Sequence, residues 1–318
     1  MPSYAILSLA DLSRDQNSSR YTLNRVTPML ATVLDLERTS SALTQYLIRT
    51  WRIQKALNRD GTQATAIRLH AGPKNAEDDT VMLVLNCVVA PQGAAGSAKW
   101  SCNVLLCLGK PGAEGRIEFA YCMHRSGRLQ LVEAVLSHLA ATYDCIFSAV
   151  QISPHSLAFL ASAWTRAQDD DDDDDNDDGE DEENENDHKR TRRSQHVPLR
   201  IEFAMEKAVR DKGLGTIKLT IEQHNVRALH ALIENQGGEA PNEAADDPTP
   251  AFTRALCAYV SAQLHIHVTG ASIASISTPA AEVTQDGNIK FKAVPRQREL
   301  AQLAEAAAPA TAVIKRKL

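Results

Sequence analysis

The chain is poor in aromatic residues, with three Trp, six Tyr and six Phe in 318 residues. No apolar run reaches the ~20 residues needed to cross a bilayer, so no membrane span is expected. The first residues, "MPSYAILSLADLSRDQ", lack both a cationic leader and a long apolar core, and no secretory signal is expected. The six cysteines, at 87, 102, 107, 122, 145 and 257, contain no CxxC pair. Most lie in apolar runs such as "VMLVLNCVVA" and "NVLLCLG", which suits reduced, buried thiols in a cytosolic or nuclear protein. A disulfide scaffold or a zinc ribbon is not expected. GxSxG, HExxH and GxGxxG are all missing. "GKPGAEG" lacks the Gly-Lys-Ser/Thr ending and the strand-to-helix setting of a phosphate loop, and reads as a turn.

What is present in excess is acid, in one place. Between Asp169 and Asp187 lie 15 acidic residues and no basic one. Without them, 25 acidic side chains face 34 Lys and Arg, so a formal charge of -6 conceals a remainder of +9. A basic folded surface permits contact with nucleic acid. The tract repels itself and offers nothing apolar to bury, so it reads as a linker. Its basic end, Lys189, Arg190, Arg192 and Arg193, has the composition of a nuclear import signal, or of a solvated charge cluster in a loop.

Four segments follow: an N-terminal α+β part (1–167), a disordered acidic linker with a basic end (168–195), a C-terminal α+β sheet part (196–295) and an Ala-rich basic tail, helical or loose (296–318). In the first, "SSALTQYLIRTWRIQKAL" has helical spacing behind Ser40 or Ser41 as cap. Strand-like runs cover Val81–Val89, Asn103–Leu108 and Arg116–His124, and the intervening Pro/Gly segments suggest an antiparallel meander. A helix over Arg128–Ala141 puts Leu129, Val132, Leu136 and Leu139 on one face. The strand "DCIFSAVQI" follows, then a helix capped by Ser153 with Pro154 at its first position. In the third segment, "VPLRIEFAM" and "GTIKLTIEQ" form a candidate hairpin. Helices "NVRALHALIEN" and "AFTRALCAYVSA" come next, then the strand "LHIHV", and Asp286-Gly287 marks a tight turn between two last strands.

A shift of 121 residues lays "VEAVLSHLAATYDCIFSAVQI" over "TRALCAYVSAQLHIHVTGASI", with apolar residues in register. The fold class expected is therefore α+β, with antiparallel sheets, packed helices and two halves whose kinship this register suggests.

Candidate chemistry is thin. In a strand, His265 and His267 share the face opposite Leu264, Ile266 and Val268. Zinc needs three or four ligands, and nearby there are only Thr269 and Ser272, so a solvated face or contact surface is the preferred reading over a metal-dependent enzyme using His265 and His267. Tyr143 and Cys145 flank Asp144 on an apolar face without a local histidine, which reads as a structural cysteine rather than a nucleophile. No cofactor is implied.

Three stretches together, "TYDCIFSAVQISPHSLAFLASAWT", "IKLTIEQHNVRALHALI" and "QLHIHVTGASIASISTPAAEVTQDGNIKF", resemble the centromere protein L family. The resemblance rests on Tyr143, Asp144 and Cys145, on Trp164 and Thr165, and on Ile266, His267, Ser277, Thr278, Asp286 and Gly287. It covers about residues 130–167 and 198–293. It implies an α+β fold with curved antiparallel sheets and a non-enzymatic nuclear subunit of the inner kinetochore, in the constitutive centromere-associated network. Such a subunit pairs with a centromere protein N-like partner and sits near centromeric nucleosomes and DNA. With the hairpin signal it also implies docking by sheet edge and apolar burial, with Ile266, Val268, Ile273, Ile289 and Phe291 as the interface side chains. The alternative open at this point is a DNA-binding α+β saddle acting in chromatin or recombination.

Overall fold

The computed structural model describes residues 20–30, 36–51, 53–54, 66–71, 81–91, 100–126, 128–173, 198–205, 215–235, 251–264, 272–292, 295 and 297–308. The chain opens with strands β1 (Tyr21–Val26) and β2 (Met29–Leu30) and helix α1 (Leu36–Trp51). Strands β3 (Ile53–Gln54), β4 (Ala66–Ala71), β5 (Val81–Pro91), β6 (Trp100–Pro111), β7 (Arg116–Glu118) and β8 (Tyr121–Ser126) follow. Next come α2 (Leu129–Tyr143), β9 (Phe147–Ala149) and α3 (Pro154–Asp173). Beyond the acidic tract lie β10 (Leu199–Ala204), β11 (Thr216–Ile221), α4 (Gln223–Asn235) and α5 (Ala251–Leu264). The last elements are β12 (Ser272–Ser277), β13 (Ala281–Thr284), β14 (Asn288–Phe291) and α6 (Gln297–Ala307). Helices and antiparallel sheet together make the fold α+β.

Two compact units result, Met1–Gln151 with Asp286–Leu318, and Ile152–Gln285. In the first, β1 pairs antiparallel with β14, β9 and β8, and the ladder continues through β6 to β5, which pairs with β3 and β4. Strand alternation gives this sheet two apolar faces. One carries Leu83, Leu85, Cys87, Cys102, Val104, Leu106 and Cys122, packed with Leu43 and Leu47 of α1 and Leu131, Val135 and Leu139 of α2. The hydroxyls of Thr39 and Tyr143 share a buried hydrogen bond that ties α1 to the end of α2. The other face carries Tyr21, Leu23, Leu105, Tyr121, Met123 and Ile289. There Tyr121 Oη donates to the Leu300 carbonyl at 3.1 Å and Arg25 Nε to the Ala307 carbonyl at 3.2 Å, so α6 covers it. Each fully buried side chain of Leu or Phe size contributes about 1.5–3 kcal/mol.

In the second unit the strand order is β11-β10-β12-β13, all antiparallel. Leu199, Ile201, Phe203, Ile276 and Val283 are buried on one face. Helix α3 packs on β12 and is joined by α4 and α5. Ser153 caps α3, accepting the Ser156 N–H at 3.0 Å, as the Ser-Pro start predicts. A bulge between Glu202 and Phe203 shifts the β10–β12 register by one.

Several expectations shift. Helix α1 starts at Leu36, so Ser40 and Ser41 lie inside it rather than at its cap; Glu37 in the first turn suits the helix dipole. In α2 the buried stripe is Leu131, Val132, Val135 and Leu139, and Leu129 is 67% exposed. The terminal residue of a helix lacks a neighbouring turn to pack beneath it. Helix α3 continues to Asp173, beyond residue 168 where the linker was expected to begin. The sequence division at the acidic tract is also not where the units divide, since α3 belongs to the second unit. Helix α5 takes in Leu264, so no strand starts there, and residues 265–271 lie outside the described residues. The segment after Arg296 includes a packed helix, α6, with Leu303 fully buried.

The shifted register lays α2 onto α5, and both Val135 and Leu256 are fully buried. Its strand half falls on 265–271, so the kinship of the two halves remains an expectation.

Candidate partner interface

The side chains expected to meet a partner are not on one described surface. Ile266 and Val268 lie outside the described residues, as do His265, His267, Lys189, Arg190, Arg192 and Arg193. Ile273 is 3% exposed, Ile289 fully buried and Phe291 7% exposed. Ile289 stands opposite Tyr21, and the Phe291 ring lies 6.2 Å from the Tyr21 ring. These three side chains build the chain's own cores. Apolar strand residues of this kind cannot be assigned to core or interface from sequence, because both need the same alternation.

The residues that carry the resemblance act as structural pins. Asp144 ends α2 in the left-handed conformation, at φ 47°, and its carboxylate lies 3.4 Å from Arg116 Nη2. Thr165 on α3 bonds His230 Nε2 on α4 at 2.9 Å, and the His230 ring stacks on Phe252 of α5, so one buried polar junction joins three helices. Thr278 is fully buried in the β12–β13 turn, where its N–H donates to the Ala281 carbonyl at 2.9 Å and its hydroxyl accepts the Ala281 N–H at 3.3 Å.

Nothing described favours covalent chemistry. Burial pushes the Cys87 and Cys107 thiols up to about 12. Cys145 rises to about 11, through burial first and the neighbouring Asp144 second. Thiolates are therefore scarce at neutral pH, the opposite of an activated nucleophile. Among the described residues no cluster of three His, Cys, Asp or Glu could hold a metal. A void of about 10 Å³ under α2, lined by Met29, Leu85 and Tyr143 among others, is far below the size of a ligand pocket.

The second unit instead offers an edge. β11 pairs with β10 alone among the described strands and ends the sheet. Its sequence, "TIKLTI", alternates: Thr216, Lys218 and Thr220 are exposed, whereas Ile217 and Leu219 are half-buried. On β10, Ile201 and Phe203 are buried between two strands, and Leu199 is buried opposite Ile221 of β11. Ile217 and Leu219 extend the same apolar layer to the edge, where it is only partly covered. Sequence inspection named the β10–β11 hairpin but not this edge. The alternation of "TIKLTI" is legible; that no third strand among the described residues covers it depends on sheet order.

A family model for centromere protein L matches residues 107–314, well over half of the chain. The chain belongs to the centromere protein L family. Comparison with curated proteins gives no significant match. Membership gives the protein a role at the centromere and kinetochore, hence in the nucleus, and among its described residues no helix is long and apolar enough to cross a membrane. The match begins at Cys107, within β6, and takes in every pin described above.

Proposed function

We propose that this chain is a non-catalytic structural subunit of the inner kinetochore that pairs with a centromere protein N-like subunit through β11. The observation that carries the proposal is the incompletely covered apolar layer at Ile217 and Leu219 on an edge strand. A strand added there gains main-chain hydrogen bonds and completes the burial of both side chains. A stable complex needs about 1,000 Å² or more of total buried surface, so the partner must also cover ground beyond the strand. The pair then belongs to the constitutive centromere-associated network beside centromeric nucleosomes. The acidic stretch beyond Asp173 serves as a spacer, and Lys189, Arg190, Arg192 and Arg193 as an import signal.

Co-expression with a centromere protein N-like subunit tests the pairing. Leu219→Lys, at a half-buried site, leaves the fold intact and abolishes co-elution. Undiminished co-elution of that variant would overturn β11 as the docking edge.

A second reading rests on the remainder of +9 outside the acidic tract. It has the folded parts contact DNA phosphates directly, so affinity falls steeply with salt. Deleting residues 174–187 then tightens DNA binding at low salt; unchanged binding leaves the tract an inert spacer.

A further inference from the structure

Three strands of the second unit place their outward side chains in one row. Glu202 on β10 stands directly opposite Ser275 on β12 and Lys218 on β11. The Ser275 hydroxyl donates toward Glu202 Oε2 at 3.5 Å, and Lys218 Nζ lies 3.7 Å from the same oxygen. The row therefore runs hydroxyl donor, carboxylate acceptor, ammonium donor, and it stops at the sheet edge on the donor. An ammonium has three N–H donors. Glu202 accounts for one direction of that demand, and the Lys218 side chain is 76% exposed on the edge strand.

Directly opposed side chains on neighbouring strands interact, and opposite charges in that position stabilise pairing while like charges oppose it. The sign at the end of the row therefore selects what can stand next. The apolar residues on the other face, Ile217 and Leu219, ask for apolar side chains beside them, one residue before and one after the position facing Lys218.

Resting on the proposed docking at β11, we infer that Lys218 is a specificity-determining residue of that edge. Its partner strand carries an Asp or Glu in register with Lys218, flanked on both sides by apolar residues. A lysine on an exposed edge also discourages self-association, because two β11 edges pairing antiparallel about their centre bring Lys218 of each copy close together. The same side chain thus admits the acidic partner and disfavours a second copy of this chain through β11.

The test is the dissociation constant of the full chain for a centromere protein N-like subunit, measured at about 50 and 300 mM salt. Lys218→Gln weakens binding about fivefold and Lys218→Glu more, with the difference shrinking at high salt. Lys218→Arg keeps wild-type affinity, and melting temperatures of all three stay within a few degrees of wild type. Lys218→Gln should also increase self-association measured by sedimentation. Wild-type affinity in Lys218→Glu alongside lost binding in Leu219→Lys would overturn the charge assignment and keep the edge. Wild-type affinity in both would remove the edge reading and this inference together.

Discussion

Replacing Gly287 by alanine should destabilise the first unit by roughly 2–4 kcal/mol. Gly287 sits at φ +74° in the turn between β13 and β14, where an L side chain is disfavoured by about 1–2 kcal/mol. A second cost is steric, since a Cβ built there lies 2.5 Å from the Val150 carbonyl oxygen. That oxygen cannot retreat cheaply. Val150 is fully buried, and its N–H donates to the Leu23 carbonyl at 3.2 Å. The turn cannot retreat either, because the Gly287 carbonyl accepts the Leu23 N–H at 2.8 Å. Relieving the overlap stretches one of these bonds, adding about 1–2 kcal/mol. At 2–4 °C per kcal/mol for a domain of this size, the melting temperature falls by roughly 5–15 °C. Calorimetry on the full chain measures it. Gly287→Asn separates the two causes: asparagine tolerates positive φ but keeps the Cβ, so the contact with Val150 predicts little recovery. An alanine variant within about 0.5 kcal/mol of wild type would refute the geometry, and full recovery by asparagine would refute the steric share.

Ile289→Asp puts a carboxylate into a fully buried site opposite Tyr21, and should yield unfolded or insoluble protein by circular dichroism rather than a folded chain with a lost partner. Thr165→Val removes the buried bond to His230 and should cost about 1–3 kcal/mol in urea denaturation. The thiols set an alkaline limit. Cys87 and Cys107 ionise near 12 when folded against an ordinary 9.0, so the unfolded chain loses its protons first. Their share of stability is whole below pH 9 and is lost as pH rises toward 12, at up to about 1.4 kcal/mol per pH unit for each thiol. Urea midpoints between pH 8 and 10 should show this decline. Cys107→Ala, although less stable at pH 8, should show a shallower one.

Local rules carried the reading of the sequence as far as they reach. Ser153-Pro154 marks a helix start because capping is settled within three residues, and the Ser153–Ser156 bond is there. Asp286-Gly287 marks a turn for the same reason. The misreadings are of two kinds. At element ends, Leu129 satisfied the helical period yet is exposed, since periodicity says nothing about where the covering neighbour stops. Across the fold, Ile273, Ile289 and Phe291 carry an alternation that a core and a docking face write identically. Burial separates them, and it depends on residues far away in sequence: Tyr21 beside Ile289 and Phe291, and Phe203 opposite Ile273.

The edge at β11 is the same problem reversed. "TIKLTI" is as apolar on one face as a central strand would be, and only the order β11-β10-β12-β13 shows that, among the described strands, β11 has a neighbour on one side. What distinguishes it locally is Lys218. A lysine between two half-buried aliphatic residues adds little to a finished sheet, because its contact with Glu202 is long and exposed. Under the proposed docking it gains a use, since an opposed charge on an incoming strand would be favoured and a like charge disfavoured. On the docking proposed above, the residue with the weakest account inside this chain has its strongest one at the sheet edge, and the Lys218 variants test that assignment.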